Sequence, residues 1–295
     1  CAMALSRCYR EAGDLGRAIS AGETALAAYA ERGLAGGDEA IQLTVTVAAA
    51  YHERGDVAYA VRLCREAAAV AEESGSPRSR ASAYWNASVM EMEKGAVSSA
   101  VTLASKALAL LGEGTDVRSL GGLRSLLGIM QLQLDPPELT EAIANLTAAR
   151  EQLAQSGAGL AERLRNDVAL AEAAFIAGDF AEARALAAAT YEQAGRGAPL
   201  VAASARAVAG QALAAEGEVA EAAALYKEAV HLLTGVGADR SAGELWLELG
   251  ALLESVGEVD VARQAYRSAA AAAGLRLRTR TPREAGLSAV RQSRQ

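Results

Sequence analysis

The residues that could carry catalysis are few in this chain and are scattered along it. Only two of the 295 residues are histidines, His52 and His231, and they fall on different predicted helices. The carboxylates Glu91 and Glu93 stand beside a predicted turn, where solvation or helix capping explains them. Catalysis needs a converging set of groups. The sequence does not predict such a set, and we expect a protein that is not an enzyme.

Motifs for metals and cofactors are also missing from the sequence. The three cysteines, Cys1, Cys8 and Cys64, match no zinc or disulfide spacing. The glycine-rich segments 112–114 and 195–197 lack the Lys-Ser/Thr pair that follows a phosphate-binding loop. We therefore expect no metal and no cofactor. An enzyme accessory role stays open as an alternative.

Charge is distributed unevenly along the chain. The formal net charge is −7, yet residues 274–295 hold six arginines against one glutamate. The body is therefore strongly acidic, which argues against direct nucleic-acid binding because phosphates are neutralised by clustered Lys and Arg. The segment 274–295 is predicted to be a flexible, solvated basic tail. Contact with nucleic acid or with the acidic body of another copy is the alternative.

The predicted setting of the chain is the cytoplasm, without a membrane partner. No uninterrupted apolar stretch approaches the length that spans a bilayer, and no signal peptide is visible. An odd number of cysteines without a disulfide pattern suits a reducing compartment. The sequence starts at Cys1, without Met and inside a helical pattern, so we expect it to be a fragment of a longer protein.

A tight-turn motif recurs along the chain with a spacing of about 40 residues. Its glycines include Gly55, Gly95, Gly178 and Gly217, and a second set of Gly and Pro breakers lies between them. Two sets of breakers on one period predict two helices per repeat, and the apolar residues follow helical three-and-four spacing. The predicted repeats over 1–273 are roughly 1–33, 38–75, 80–113, 119–156, 160–196, 200–236 and 241–273.

Residues at fixed offsets mark the last repeat. They are Trp246, Leu249, Gly250, Leu253, Gly257, Ala262, Tyr266 and Ala269. This pattern of aromatic, Leu-Gly, large residue, turn Gly, Ala, aromatic, Ala resembles the tetratricopeptide-repeat family. The resemblance implies an all-α, right-handed α-solenoid of about seven antiparallel helix pairs. A period near 40, against the family's usual 34, implies longer helices or loops.

Long-period, alanine-rich arrays of this kind resemble the C-terminal sensor regions of bacterial helix-turn-helix transcription regulators. This resemblance implies that a protein or peptide binds in the concave groove and that the chain takes part in regulating transcription. A structural adaptor, or a scaffold that forms homo-oligomers without ligand switching, is the alternative. Homodimerisation through terminal repeats fits either role, because an uncapped array exposes apolar helix faces.

The concave face of a tetratricopeptide array is lined by the first helix of each pair. The resemblance carries this role, motif by motif, to Gln42, His52, Trp85, Asn86, Val89, Met92, Arg165, Glu172, Phe175 and Gln211. These ten residues are the predicted binding set.

Three members of the predicted set carry specific expectations. Asn86 stands two residues before the small position, where peptide-binding members often hold a ligand backbone with Asn; helix packing or solvent contact is the alternative. Trp85 either fills core volume or forms an apolar anchor beside Val89 and Met92. Arg165 could pair with a carboxylate, although solvation of a surface arginine is the default.

Overall fold

Fourteen α-helices form the computed structural model within the residues that it describes, 2–111, 116–195, 197–236 and 240–275. They follow one another as seven pairs, which confirms the predicted all-α architecture. The first helices of the pairs are α1 (Ala2–Glu11), α3 (Asp38–Arg54), α5 (Pro77–Glu93), α7 (Val117–Leu132), α9 (Leu160–Ile176), α11 (Pro199–Ala215) and α13 (Arg240–Ser255). The second helices are α2 (Leu15–Glu31), α4 (Val57–Ser74), α6 (Val97–Leu110), α8 (Leu139–Gln155), α10 (Phe180–Ala194), α12 (Val219–Leu233) and α14 (Val259–Ala272). From residue 276 onward the predicted basic tail lies outside the described residues.

Glycines in the left-handed conformation reverse the chain inside most pairs. Gly55 has φ 100° and Gly217 has φ 92°, a region in which a side chain would be strained. After α11, the Gly217 N–H donates to the Ala214 carbonyl at 3.1 Å and the Glu218 N–H donates to the Leu213 carbonyl at 2.9 Å. These bonds satisfy carbonyls that the helix end would otherwise leave unpaired.

Aspartate side chains cap two of the second helices, α2 and α10. The Asp179 Oδ1 atom accepts a hydrogen bond from the Glu182 backbone N–H at 3.0 Å, and Glu182 adds negative charge to the first turn of α10. Both features stabilise a helix N-terminus, where the first N–H groups lack helical partners.

We expect Asp179→Ala to lower the free energy of unfolding by about 1 kcal/mol, because one of these N–H groups loses its acceptor. Urea unfolding followed by circular dichroism measures the change. Asp179→Asn keeps an oxygen acceptor and serves as the control, with a loss of at most a few tenths of a kcal/mol. Equal losses in the two variants would contradict a capping role for Asp179.

Small residues allow the helices to approach one another closely. A Cβ atom placed at Gly22 would lie 2.2 Å from Val47 Cγ2, and one at Gly250 would lie 2.4 Å from Tyr266 Cε1. Fully buried alanines, such as Ala104 on α6, also recur along the array. Alanine costs no side-chain entropy in a helix, so thin alanine-lined contacts repeated along the array can replace one large core.

The first helices lie on the inner side of the curved array. Most successive first helices contact one another, as α3 does with α5 and α9 with α11, in addition to the second helix of each pair. Second helices lie on the outer side, so side chains that α1, α3, α5 and the later first helices do not bury point into a shared inner groove.

Candidate ligand-binding groove

A cavity of ≈ 560 Å³ opens on the inner surface between α1, α3, α5 and α7. Its wall includes Gln42 from α3 and Ser82, Trp85 and Asn86 from α5. The volume falls in the range of pockets that hold small ligands or a few side chains. Three of the ten predicted residues thus lie together in one cavity.

Trp85 forms an apolar part of this wall. The side chain is half-buried, and a Cβ atom built at Gly122 of α7 would lie 3.4 Å from its Cη2 atom. The indole therefore reaches from α5 to α7, where it packs against the core cluster around Leu123 and also lines the cavity. A rigid aromatic side chain in this position offers a large contact area at low entropic cost.

Two carboxamides supply hydrogen-bonding groups to the same wall. Asn86 Nδ2 donates to the Ser82 carbonyl at 2.8 Å, and Gln42 Nε2 donates to Ser79 Oγ at 3.3 Å. Each amide group has two N–H donors and an acceptor oxygen. These bonds orient the two side chains and use one N–H group of each amide. The second N–H group and the carbonyl oxygen of each amide remain for a ligand.

Arginines that the sequence reasoning missed dominate the charge of the cavity. Arg7, Arg10, Arg78 and Arg118 line it together with one carboxylate, that of Asp116. Arg78 and Arg118 occupy the second positions of α5 and α7, one repeat period apart. The recurrence of arginine at the repeat period could have revealed these residues from the sequence. The tetratricopeptide pattern instead directs attention to the middle of each first helix.

A second group of polar residues lies farther along the first helices. Gln211 Nε2 on α11 donates to Glu248 Oε1 on α13 at 3.2 Å. Burial raises the pKa of Glu172 on α9 to about 7, and the negative charge of Glu248 adds to the shift. Desolvation by burial also raises the pKa of Glu248, and the Gln211 hydrogen bond opposes this shift.

The structure therefore brings Glu172 and Gln211 from the predicted set near one residue that the set omitted. Glu248 lies one residue before Leu249 of the tetratricopeptide pattern, so its position on a first helix was the signal that could have found it. The groove is basic near α1 to α7 and acidic at this second group.

The other predicted residues lie outside both groups. His52 Nε2 on α3 lies 3.7 Å from Glu93 Oε1 on α5, beyond hydrogen-bonding distance. Val89 packs against the cluster around Cys64, and Met92 packs, as Trp85 does, against the cluster around Leu123. Neither Val89 nor Met92 lines the cavity.

The remaining pair of predicted residues comes from α9. The Phe175 ring packs against Phe180 across the turn of the fifth pair, with 5.8 Å between ring centroids. Arg165 is exposed to solvent and does not line the cavity.

Neither a metal cluster nor a membrane span stands out in the described residues. No group of three or more His, Cys, Asp and Glu side chains there could hold a metal ion. No helix in that part of the chain is both long and apolar enough to cross a bilayer.

Solved structures share the architecture of this chain. A tetratricopeptide repeat protein from Parabacteroides merdae is 16% identical over 92% of this chain and 91% of its own, with a TM-score of 0.58. The fold is that of a tetratricopeptide-repeat solenoid. The apo form of RapI matches with a TM-score of 0.67 and 14% identity, over 91% of this chain and 95% of RapI.

A third tetratricopeptide-type match was solved with a peptide. The Rap conjugation gene regulator of the plasmid pLS20, in complex with the Phr* peptide, is 14% identical over 84% of this chain and 73% of its own, with a TM-score of 0.59. No protein-family model and no curated protein matches the chain. Identities this low show a shared fold and no more.

Proposed function

We propose that this tetratricopeptide solenoid is a binding module that holds an extended peptide or protein segment in the groove of its first helices. The observation that carries the proposal is the inner cavity in which the indole of Trp85 and the carboxamides of Gln42 and Asn86 converge. Amides can bind a peptide backbone as donor and acceptor, and an indole can anchor an apolar side chain. Binding, rather than catalysis, is the role that this arrangement supports.

We further propose that the chain is the sensor part of a cytoplasmic bacterial transcription regulator. Support comes from the Rap conjugation gene regulator, which shares the fold and was solved with a peptide bound. A solenoid bends at many small interfaces, so a ligand that prefers a tighter superhelix would shift the population toward it. Since a fold by itself does not determine function, peptide binding must be tested directly.

The test of peptide binding compares capture by the wild-type chain and by a Trp85→Ala/Asn86→Ala variant. Each immobilised protein is incubated with a pool of degenerate synthetic octapeptides and with a native bacterial lysate, and bound peptides and proteins are identified by mass spectrometry. We expect the variant to retain less than about a tenth of what the wild type captures, because losing a central aromatic anchor typically costs about 2 kcal/mol or more.

Trp246→Ala provides the matched control. Trp246 packs against the C-terminal core cluster and does not line the cavity, so its removal should leave capture unchanged. Circular dichroism confirms that each variant is folded before the comparison. Equal capture by the double variant and the wild type would show that peptides do not bind at this cavity.

A further inference from the structure

The charge of the cavity is opposite to that of the chain. The chain has a formal net charge of −7. The cavity wall holds four arginines, Arg7, Arg10, Arg78 and Arg118, against one carboxylate, Asp116. A concave surface that concentrates one sign of charge attracts ligand groups of the other sign.

Two of the four arginines are paired with carboxylates outside the cavity. Arg10 Nε lies 3.4 Å from Glu53 Oε1, and Arg118 Nη2 lies 2.8 Å from Glu162 Oε2.

Arg7 and Arg78 are the other two arginines. Their guanidinium groups are exposed, and within the described residues no carboxylate forms an ion pair with either of them. Both groups therefore keep their full set of donors for a ligand.

The one carboxylate in the wall already accepts two hydrogen bonds from the first turn of α7. Asp116 Oδ1 accepts the Arg118 backbone N–H at 3.2 Å, and Asp116 Oδ2 accepts the Ser119 hydroxyl at 2.9 Å. Asp116 is thus the N-terminal cap of α7, and within the described residues it forms no ion pair with Arg7 or Arg78.

Helix geometry adds to the positive potential. Arg78 and Arg118 lie in the first turns of α5 and α7, where the positive end of the helix dipole disfavours a cation. The ion pair with Glu162 accounts for arginine at position 118, whereas no ion pair within the described residues accounts for arginine at position 78. The N-terminus of α5 and the guanidinium groups of Arg7 and Arg78 together form a surface suited to an anion.

We infer that this cavity is a subsite for acidic side chains of the bound peptide, an inference that rests on the proposed peptide-binding function. The Arg7 and Arg78 guanidinium groups receive an Asp or Glu carboxylate, while Trp85 and Asn86 contact the neighbouring residues of the peptide. The planar guanidinium fork matches a carboxylate in two parallel hydrogen bonds, which lysine could not provide.

The test uses a degenerate pool of synthetic octapeptides whose C-termini are amides, so that every carboxylate in the pool belongs to an Asp or Glu side chain. After capture, mass spectrometry compares the frequencies of Asp and Glu in bound and input peptides. We expect the wild type to enrich Asp and Glu by about fivefold or more at low salt. The enrichment should weaken as NaCl is raised, because exposed charges are screened.

Variants assign the enrichment to the two unpaired arginines. Arg7→Gln/Arg78→Gln should abolish the preference for Asp and Glu. Arg163→Gln/Arg267→Gln is the matched control, since it removes two exposed arginines that do not line the cavity and changes the net charge equally. The control should keep the wild-type preference.

The outcomes separate this inference from the proposed function. Peptides captured without enrichment of Asp and Glu would overturn the acidic subsite and leave peptide binding standing. Enrichment that persists in Arg7→Gln/Arg78→Gln would overturn the assignment to these arginines. Capture only from a parallel pool with free C-termini would show that the cavity binds the C-terminal carboxylate of a peptide. That result would overturn the assignment to Asp and Glu side chains. Capture of no peptide from either pool would instead overturn the proposed function.

Discussion

Gly210→Ala should lower the free energy of unfolding by about 1–3 kcal/mol, even though alanine is the better helix former. A Cβ atom at position 210 on α11 would lie 2.4 Å from Cε1 of Tyr226 on α12. Tyr226 is 1% exposed and belongs to the C-terminal core cluster, so its ring has no free space to enter. The gain in helix propensity, about 1 kcal/mol, is smaller than the cost of an overpacked core.

Urea unfolding at equilibrium measures this effect, and Gly16→Ala is the control. Gly16 lies exposed in the first turn of α2, and a Cβ atom there would meet only Asp14 Oδ1 at 3.9 Å. That substitution should leave stability unchanged or raise it by a few tenths of a kcal/mol.

A double-mutant cycle identifies the cause of the Gly210 effect. Tyr226→Leu removes the ring, so adding Gly210→Ala to that background should cost much less than it costs in the wild type. Full additivity of the two substitutions would show that the close approach to Tyr226 is not what makes glycine necessary at position 210.

The helix pairs could be predicted because their determinants are local. Glycines such as Gly55 and Gly217 end helices through their own backbone conformation, and apolar spacing is visible within one helix. The small residue at Gly250 and the aromatic Tyr266 are 16 residues apart, and a repeated pattern shows that they belong together. Such features need no knowledge of how successive pairs are arranged.

The cavity could be predicted only in part, because it depends on contacts between repeats. Arg7 and Arg118 belong to the first and fourth pairs, and they line the same cavity only because of how successive pairs are arranged. Helical spacing places Val89 and Met92 on the same face of α5 as Trp85, but about 6 to 10 Å farther along the axis. All three side chains pack against core clusters, and of the three only Trp85 also lines the cavity.

Glu172→Gln should stabilise the protein above neutral pH and reduce the dependence of its stability on pH. The Glu172 pKa is raised from 4.5 to about 7 by burial and by the charge of Glu248. Among the described residues, no Lys or Arg forms an ion pair with Glu172 or Glu248. Gln211, which donates a hydrogen bond to Glu248, is uncharged, so no cation compensates the negative charges of the two glutamates. Ionised Glu172 therefore destabilises the fold.

The sign of the pH dependence follows from proton binding. Between about pH 4.5 and 7 the folded chain keeps a proton on Glu172 that the unfolded chain has lost, so stability falls as the pH rises through this window. A shift of this size corresponds to at most about 3 kcal/mol, and solvent contact in the groove should reduce it to about 1–2 kcal/mol. The pKa values of Asp38, Glu91 and Asp116 are lowered by hydrogen bonds that they accept, so their stabilisation is lost only in more acidic solution.

Urea unfolding of the wild type and Glu172→Gln at about pH 5 and pH 8 tests this prediction, since other titrations cancel when the two proteins are compared at the same pH. The variant should exceed the wild type in stability at pH 8 and approach it at pH 5. Glu192→Gln, at an exposed position on α10, is the control and should change neither value. Glu248→Gln removes the neighbouring charge but not the burial, so it should weaken the pH dependence without abolishing it, since burial is the larger cause of the Glu172 shift. If Glu172→Gln and the wild type lose stability equally between the two pH values, the Glu172 carboxylate is ionised in the folded chain throughout, and the groove at α9 is better hydrated than its geometry indicates.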